Sequence, residues 1–517
     1  MPRRRDLLLG GLAAAAVRPA AAGDGQDESL VARARRLARA PHRPTEMALP
    51  PSFAGLDYDG YRAIRPRPGG AGGRRIGGAM VADLLPPGFF FTDRVEVVLP
   101  GASGLVPFDP AAFTFGPEAM TAPPGPAAGE TAPAAAAARE AGYSGVRLRA
   151  PLNAPDRRDE FLVFQGASYF RALARDTVYG LSARGLALGT GGPAPEEFPV
   201  FTRLEIDRPR DGAVRIGALL ESPSATGALI TTTRPGAPTE MEAELTLFPR
   251  VTLHEAGIAP LTSMYLLGPL RRAAADDFRP AVHDSDVLWM HNGRDESLWR
   301  PLSNPARLQV SAFLDDGPRA FGLLQTLRDF ADFQDAEAHY HRRPSAVVTP
   351  RGDWGPGSVT LVEIPTRDEF QDNIVAFWRP EAPLAAGGEY RFAYRLTWSA
   401  QAAPPVERPA AITASRSGVE PQTRQGRLYV IDFDAPESMA QRARLVAQLA
   451  SDGAGTITGR SLYPLPGGRG LRASFIFTPA AGRDVAELRA ELRDTGTGAR
   501  LAPVWLHRWT RAPDGGP

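Results

Sequence analysis

Between Ala281 and Trp378 the chain concentrates carboxylates, arginines and aromatic residues. The stretch reads AVHDSDVLWMHNGRDESLWRPLSNP, then FGLLQTLRDFADFQDAEAHYHRRPS, then PRGDWGPGSVTLVEIPTRDEFQDNIVAFW. Trp and Tyr cover the apolar faces of sugar rings, while carboxylates and guanidinium groups bind hydroxyls, so this mixture suits a carbohydrate cleft. It also holds the paired acids that glycoside cleavage requires, one to give a proton and one to activate water.

Other chemistries are poorly supplied. There is no cysteine, which excludes thiolate catalysis, disulfides and thiolate metal sites. There is no lysine either: all 59 Lys+Arg positions are arginine, so Schiff-base chemistry and a phosphate-loop lysine are excluded. Net charge is +1, with a basic block only at the extreme N-terminus, so nucleic acid is not expected as a partner. No GxSxG elbow surrounds Ser168 or Ser182, and no GxGxxG follows a strand before a helix, so nucleophile-elbow and dinucleotide chemistry are not supported. His339 and His341 would share a face on a strand, but no third ligand stands at a recognised spacing, so no metal is expected. No cofactor is implied.

The elements that must position these residues are mostly strands. The start, MPRRRDLLLGGLAAAAVRPAAAG, has the layout of a secretory signal with cleavage near Ala22, and its arginine pair followed by Asp6, Leu7 and Leu8 resembles a twin-arginine signal. The apolar run is too short for a bilayer span, so residues 1–22 predict export without a retained membrane anchor. Asp27 is expected to cap a short peripheral helix through ESLVARARRLARA, with Leu30, Ala34 and Leu37 near one face. From Tyr58 onward short alternating runs, among them YRAIRP, EFLVFQG, GALITTT and MEAELTLFPRVTL, are broken by Gly and Pro and predict antiparallel strands. Residues 122–140, rich in Pro and Ala, predict a surface loop without chemistry. The Pro/Ala segment 401–409 predicts a linker. It divides a large unit, 27–400, from a C-terminal 410–517 with the strand spacing of an immunoglobulin-like sandwich.

The strings FLVFQGASYFRALARDTVYGLSARGLAL, EEFPVFTRLEIDRP, HDSD, LWRPLSNP, FGLLQ, RRPS, GDWGPGSVTLVEIPT and DNIVAFW together resemble the periplasmic glucan biosynthesis proteins, the D and G members. The twin-arginine start leans toward the D member. The resemblance implies an all-β fold: a large galactose-mutarotase-like β-sandwich followed by a smaller immunoglobulin-like one. It implies a periplasmic location, a β-glucan polysaccharide as partner, and an anomer-inverting endo-acting hydrolase of β-1,2-linked glucan. The alternative is a glucan-binding or assembly factor working beside a membrane glycosyltransferase.

The same resemblance places the general acid on Asp372 and the general base on Asp284. Their neighbours agree: the apolar strand ending in Phe377 and Trp378 would raise Asp372 by desolvation, and polar His283 and Ser285 would keep Asp284 ionised. Both could instead be turn residues. Around them Asp286, Asp335, Glu337, Tyr340, Arg351, Asp353, Trp354 and Glu369 are candidates for binding sugar hydroxyls or relaying protons. Tyr340 is the preferred relay because a phenol both donates and accepts. Trp354, between Gly352 and Gly355, is preferred for stacking on a sugar, whereas Trp289, Trp299 and Trp378 suit core packing equally well. Val287, Leu288 and Trp289 after HDSD, and Phe370 and Gln371 before DNI, depart from the family pattern and bear on substrate subsites.

Overall fold

The computed structural model describes residues 28–46, 49, 53–67, 73–102, 104–109, 112–115, 142–270, 276–401, 406, 408–440, 444–466 and 470–511. The signal 1–22, the Asp27 cap, the loop 122–140 and part of the linker lie outside them. The fold is all-β, a large sandwich followed by a smaller one.

Alternating residues explain the layers. In Tyr390–Ser399, Phe392, Tyr394, Leu396 and Trp398 point inward, with Ala393, Arg395 and Thr397 between them. That strand belongs to a 13-stranded sheet running from Leu445–Ser451 through Val504–Thr510, Ser297–Pro301, Val287–His291, Ala320–Leu324 and Ser345–Arg351 to Glu96–Val98 at the far edge. It faces an 11-stranded sheet in which Tyr169–Ala172, Ser182–Arg184, Ala256–Ser263, Ile374–Pro380, Gly357–Glu363 and Gln309–Asp315 are successive neighbours. Phe170 of the second sheet meets Trp398 of the first edge-on at 6.4 Å, in the middle of one continuous apolar core. Ala256–Ser263 is buried at every position, as a central strand covered on both faces must be.

The C-terminal residues form a four-stranded sheet, Ala411–Val419, Arg427–Asp434, Leu471–Pro479 and Gly455–Pro464, packed on the end of the 13-stranded sheet. Tyr429, Phe475 and Trp505 fill that second core, which runs on to Trp289 and Trp299. Leu298 and Trp299 pair in parallel with Val504 and Trp505, so the larger sandwich shares a sheet with the smaller.

The N-terminal helix spans Leu30–Ala38 and is capped by Ser29, whose side chain accepts from Ala32 N–H at 3.2 Å. Leu30 and Ala34 bury against Leu219, Ala228 and Phe248. Gly217 makes room, since a Cβ there would stand 2.4 Å from Leu30 Cδ1. The expected strand YRAIRP begins as a helical turn, Tyr58–Arg62, because Asp57 caps it through Gly60 N–H at 2.8 Å, and only Ile64–Pro66 is strand. Among the described residues no helix is long and apolar enough to cross a membrane.

One buried ion pair ties the two large sheets together. Arg300 in Ser297–Pro301 and Glu363 in Gly357–Glu363 have side chains 1% exposed and meet at 2.9 Å. Glu363 also accepts from Ser303 N–H at 2.8 Å and Ser303 O–H at 2.9 Å. Removing one partner leaves an uncompensated buried charge, so Glu363→Leu is expected to lose about 3–5 kcal/mol of stability. In urea denaturation, the double variant Arg300→Met/Glu363→Leu should regain most of it.

Candidate active site

The two proposed acids are held by one residue, Tyr265. The strand Tyr265–Leu267 pairs antiparallel with Val282–His283, placing Tyr265 opposite His283, and their rings stack at 5.3 Å and 6°. The next backbone step donates from Asp284 N–H to Met264 C=O at 2.8 Å. From the other side, buried Asn373 brackets Tyr265: its Oδ1 accepts the Tyr265 N–H at 2.8 Å and its Nδ2 donates to the Tyr265 C=O at 3.0 Å. Nδ2 also donates to Ile364 C=O at 3.0 Å. Asp284 follows His283 and Asp372 precedes Asn373, so both acids sit one residue from a partner of Tyr265. Ser263 and Ser285 add a buried hydroxyl contact at 2.6 Å beneath them.

The two carboxyls sense each other, and their environments differ. Asp284 is 5% exposed. Burial pushes its pKa up, and the ion pair with Arg343 opposes that rise. Asp372 is open to solvent yet walled by protein, the combination expected at the floor of a depression. Its pKa is pushed up to about 6, first by desolvation and then by the charge of Asp284, against the opposing fields of Arg171, Arg343 and Arg184. The expectation that the neighbours of Asp284 keep it ionised is therefore corrected, whereas the desolvation expected at Asp372 is found. His283 cannot help keep Asp284 ionised through its charge, because burial drives its pKa down to about 3 and it stays neutral. The group that opposes the rise is Arg343. At Asp372 desolvation is the largest cause and the neighbouring carboxylate adds to it, while Trp378 itself is packed in the core.

Tyr340 stands beside this pair. Arg343 lies over its ring at 4.2 Å, and its hydroxyl donates to Glu369 Oε2 at 3.0 Å. Burial raises the Tyr340 pKa, so the phenol stays protonated. Glu369 in turn meets Arg279 at 2.7 Å, and Arg279 meets Asp335 and Asp277 at 2.8 Å each. Asp335 also accepts from the N–H groups of Glu337 at 2.9 Å and Ala338 at 2.6 Å; these bonds and Arg279 outweigh desolvation and lower its pKa. Glu337 itself is exposed. Asp286 is turned to Thr326, accepting from its N–H at 2.8 Å and from its hydroxyl; desolvation raises it to about 6.

Three candidates lie elsewhere. Ser345–Arg351 leaves the site at Ser345, and six residues of extended chain carry Arg351 about 20 Å away. Arg351 pairs with Glu242 at 3.4 Å, and Asp353 caps its own turn through Gly355 N–H at 2.8 Å. Trp354 is 7% exposed, donates to Ala393 C=O at 3.2 Å, and meets Phe392 and Tyr394 edge-on, so it is a core residue without a face for a sugar. Trp289 and Trp299 are core as well. His339 caps the 3-10 turn Tyr340–Arg342 and His341 lies within it rather than on a strand, with rings 5.9 Å apart.

The residues missed are chiefly cations and amides. Arg343 sits in the RRPS string, Arg171 and Arg184 in the segment around Tyr169, and Asn373 in DNI, so all were within the strings quoted but carried no spacing signal. Tyr169 pairs with Arg184 across adjacent strands, and Arg184 lies over the rings of Tyr169 at 5.3 Å and Phe198 at 5.0 Å. Arg171 lies over Tyr179 at 4.8 Å.

A family model described as "Periplasmic glucan biosynthesis protein, MdoG" matches residues 26–509. Glucans biosynthesis protein G of Vibrio cholerae serotype O1 is 46% identical over 504 residues, covering 96% of this chain and 88% of that protein. The protein of the same name from Shewanella frigidimarina is 42% identical over 499 residues, covering 96% and 86%. These relatives carry the G name, which does not support the leaning toward the D member. Among solved structures, a galactose mutarotase related enzyme from Lactobacillus acidophilus aligns with 50% of this chain and 91% of its own at 10% identity and a TM-score of 0.22, too loose to bear on fold or activity.

The raised pKa of Asp372 has a stability consequence with a definite sign. Ionising it is harder in the folded state, so its cost to stability is absent below the ordinary value of 3.8 and grows until pH passes about 6. Asp372→Asn is therefore expected to have a higher thermal midpoint than the parent at pH 8, with the advantage fading below pH 4.

Proposed function

The chain belongs to the periplasmic glucan biosynthesis protein family, MdoG, and from that premise we propose that it binds a β-glucan chain over Asp372 and Asp284 and cleaves it with inversion. Family membership places it in glucan biosynthesis in the periplasm. Export by a twin-arginine signal at residues 1–22, β-1,2 linkage, endo action and a C-terminal unit at 410–517 belong to the same proposal.

One observation carries it: two carboxyls anchored to a single residue, of which, among the described residues, one is ion-paired and one is not. Asp284 is ion-paired with Arg343, which opposes the rise that burial gives its pKa and favours the ionised form required of a base. Asp372 has a pKa lifted to about 6 and faces solvent, as required of an acid that must reach the leaving oxygen. In the proposed step, water attacks the anomeric carbon from the face opposite the leaving group. Asp372 gives its proton to the leaving oxygen as the glycosidic bond breaks; the Tyr340 hydroxyl takes the water proton as its own proton turns from Glu369 and passes to Asp284. Exposed rings suit the faces of pyranoses on either side: Phe370 in the loop before Asp372, 91% exposed, and Tyr179 and Phe198 over Arg171 and Arg184.

A second reading is favoured by the burial of Asp284 and its lock onto Arg343. In that reading the depression only guides a glucan, and the protein is an assembly factor beside a membrane glycosyltransferase. Incubation of the purified protein with linear β-1,2-glucan separates the two. Release of shorter oligosaccharides, lost by about 10²–10⁴-fold in Asp372→Asn while glucan binding persists, supports hydrolysis. Intact polymer with the parent chain supports the guide.

The pH profile of that release is a further check. Asp372 must be protonated, so the rate is expected to fall as pH rises through about 6 and beyond. A rate that climbs steadily to pH 9 would assign the acid elsewhere.

A further inference from the structure

Gln325 follows the strand Ala320–Leu324 and is fully buried. Its backbone N–H donates to Ser345 Oγ at 3.0 Å, which fixes the residue from behind. Both protons of its side-chain amide are directed at main-chain carbonyls of the site. Nε2 donates to His283 C=O at 2.8 Å and to Tyr340 C=O at 3.0 Å. His283 directly precedes Asp284, and Tyr340 carries the hydroxyl assigned to the relay. We propose that Gln325 is a positioning residue that fixes Tyr340 relative to Asp284, an inference that rests on the hydrolase reading of the site.

The amide is planar and its two N–H bonds point in fixed directions, so segments distant in sequence are held to one spacing by a single rigid group. Other contacts tie each segment to something else. Asp284 N–H is bound to Met264 C=O at 2.8 Å, and the Tyr340 hydroxyl to Glu369 at 3.0 Å, in the loop that leads to Asp372. The Arg343–Asp284 ion pair does cross between the segments, but a flexible guanidinium arm can follow a shift that a short amide cannot. A change of about 1 Å at such a support can cost about 10²-fold in rate. An amide that only satisfied the core would affect stability alone.

The test uses the full chain and linear β-1,2-glucan, with Gln325→Met, similar in length but without donors, and Gln325→Glu. Burial and two facing carbonyl oxygens keep that glutamic acid protonated, so it retains one of the two bonds. The expected result is a kcat about 30–100-fold lower for Gln325→Met, a smaller loss for Gln325→Glu, and KM within about twofold of the parent for both. Glucan binding by Asp372→Asn/Gln325→Met should equal that of Asp372→Asn. A Met variant with parental kcat, or one in which only KM rises, overturns the inference while leaving the hydrolase reading intact. If the Met variant fails to fold, the Glu variant decides by the same criteria. A parent chain that cleaves nothing overturns both.

Discussion

The site depends on the capture of one backbone unit, the peptide groups of Tyr265, from two directions. Asn373 takes its N–H and C=O as a strand would, and His283 occupies the register position on the other side. An aspartate attached to each captor must then meet its counterpart, however far apart they lie in the chain. Buried amides of this kind cost free energy unless every donor and acceptor is used, and Asn373 uses its carbonyl once and its amino group twice. Since Tyr265–Leu267 continues directly from the fully buried strand Ala256–Ser263, the acids inherit the rigidity of the core sheet.

Charge placement then separates two chemically identical side chains. Asp284 and Arg343 form a pair in which neutralising the acid would leave a guanidinium largely buried, a loss of about 3–5 kcal/mol when such pairs are broken. Desolvation still raises the Asp284 pKa, but Arg343 opposes that rise, whereas no arginine is ion-paired to Asp372 among the described contacts, so the transferable proton is assigned to Asp372. Solvent reaches Asp372, so it can hold a proton and still present it to a ligand. Around this centre, Tyr340, Glu369, Arg279, Asp335 and Asp277 form one continuous run of hydrogen bonds and ion pairs that braces the loop before Asp372.

The strands, their antiparallel pairing and the placement of Asp284, Asp372, Tyr340 and Glu369 in one neighbourhood were legible in the sequence. Alternation reports which side of a sheet a residue faces, and long resembling strings report identity. Trp354 was misjudged for a physical reason: two flanking glycines signal a turn but not which way the indole swings, and here it turns inward to Ala393. Arg351 and Asp353 share that turn and went with it. The helix cap is Ser29 and not the expected Asp27, because several nearby side chains suit the role and only the helix start distinguishes them. Arg343, Asn373 and Gln325 could not be singled out from residue types, because their function lies in bonds to main-chain or distant groups, and such bonds have no periodicity.

The most direct test of two opposed carboxyls is the configuration of the newly formed reducing end, followed by proton NMR in the first minutes of incubation with linear β-1,2-glucan. If Asp284 draws on water from the face opposite the bond that Asp372 protonates, the α-anomer appears first and the β-anomer only as mutarotation proceeds. Initial formation of the β-anomer would mean attack by a protein nucleophile and contradict the account.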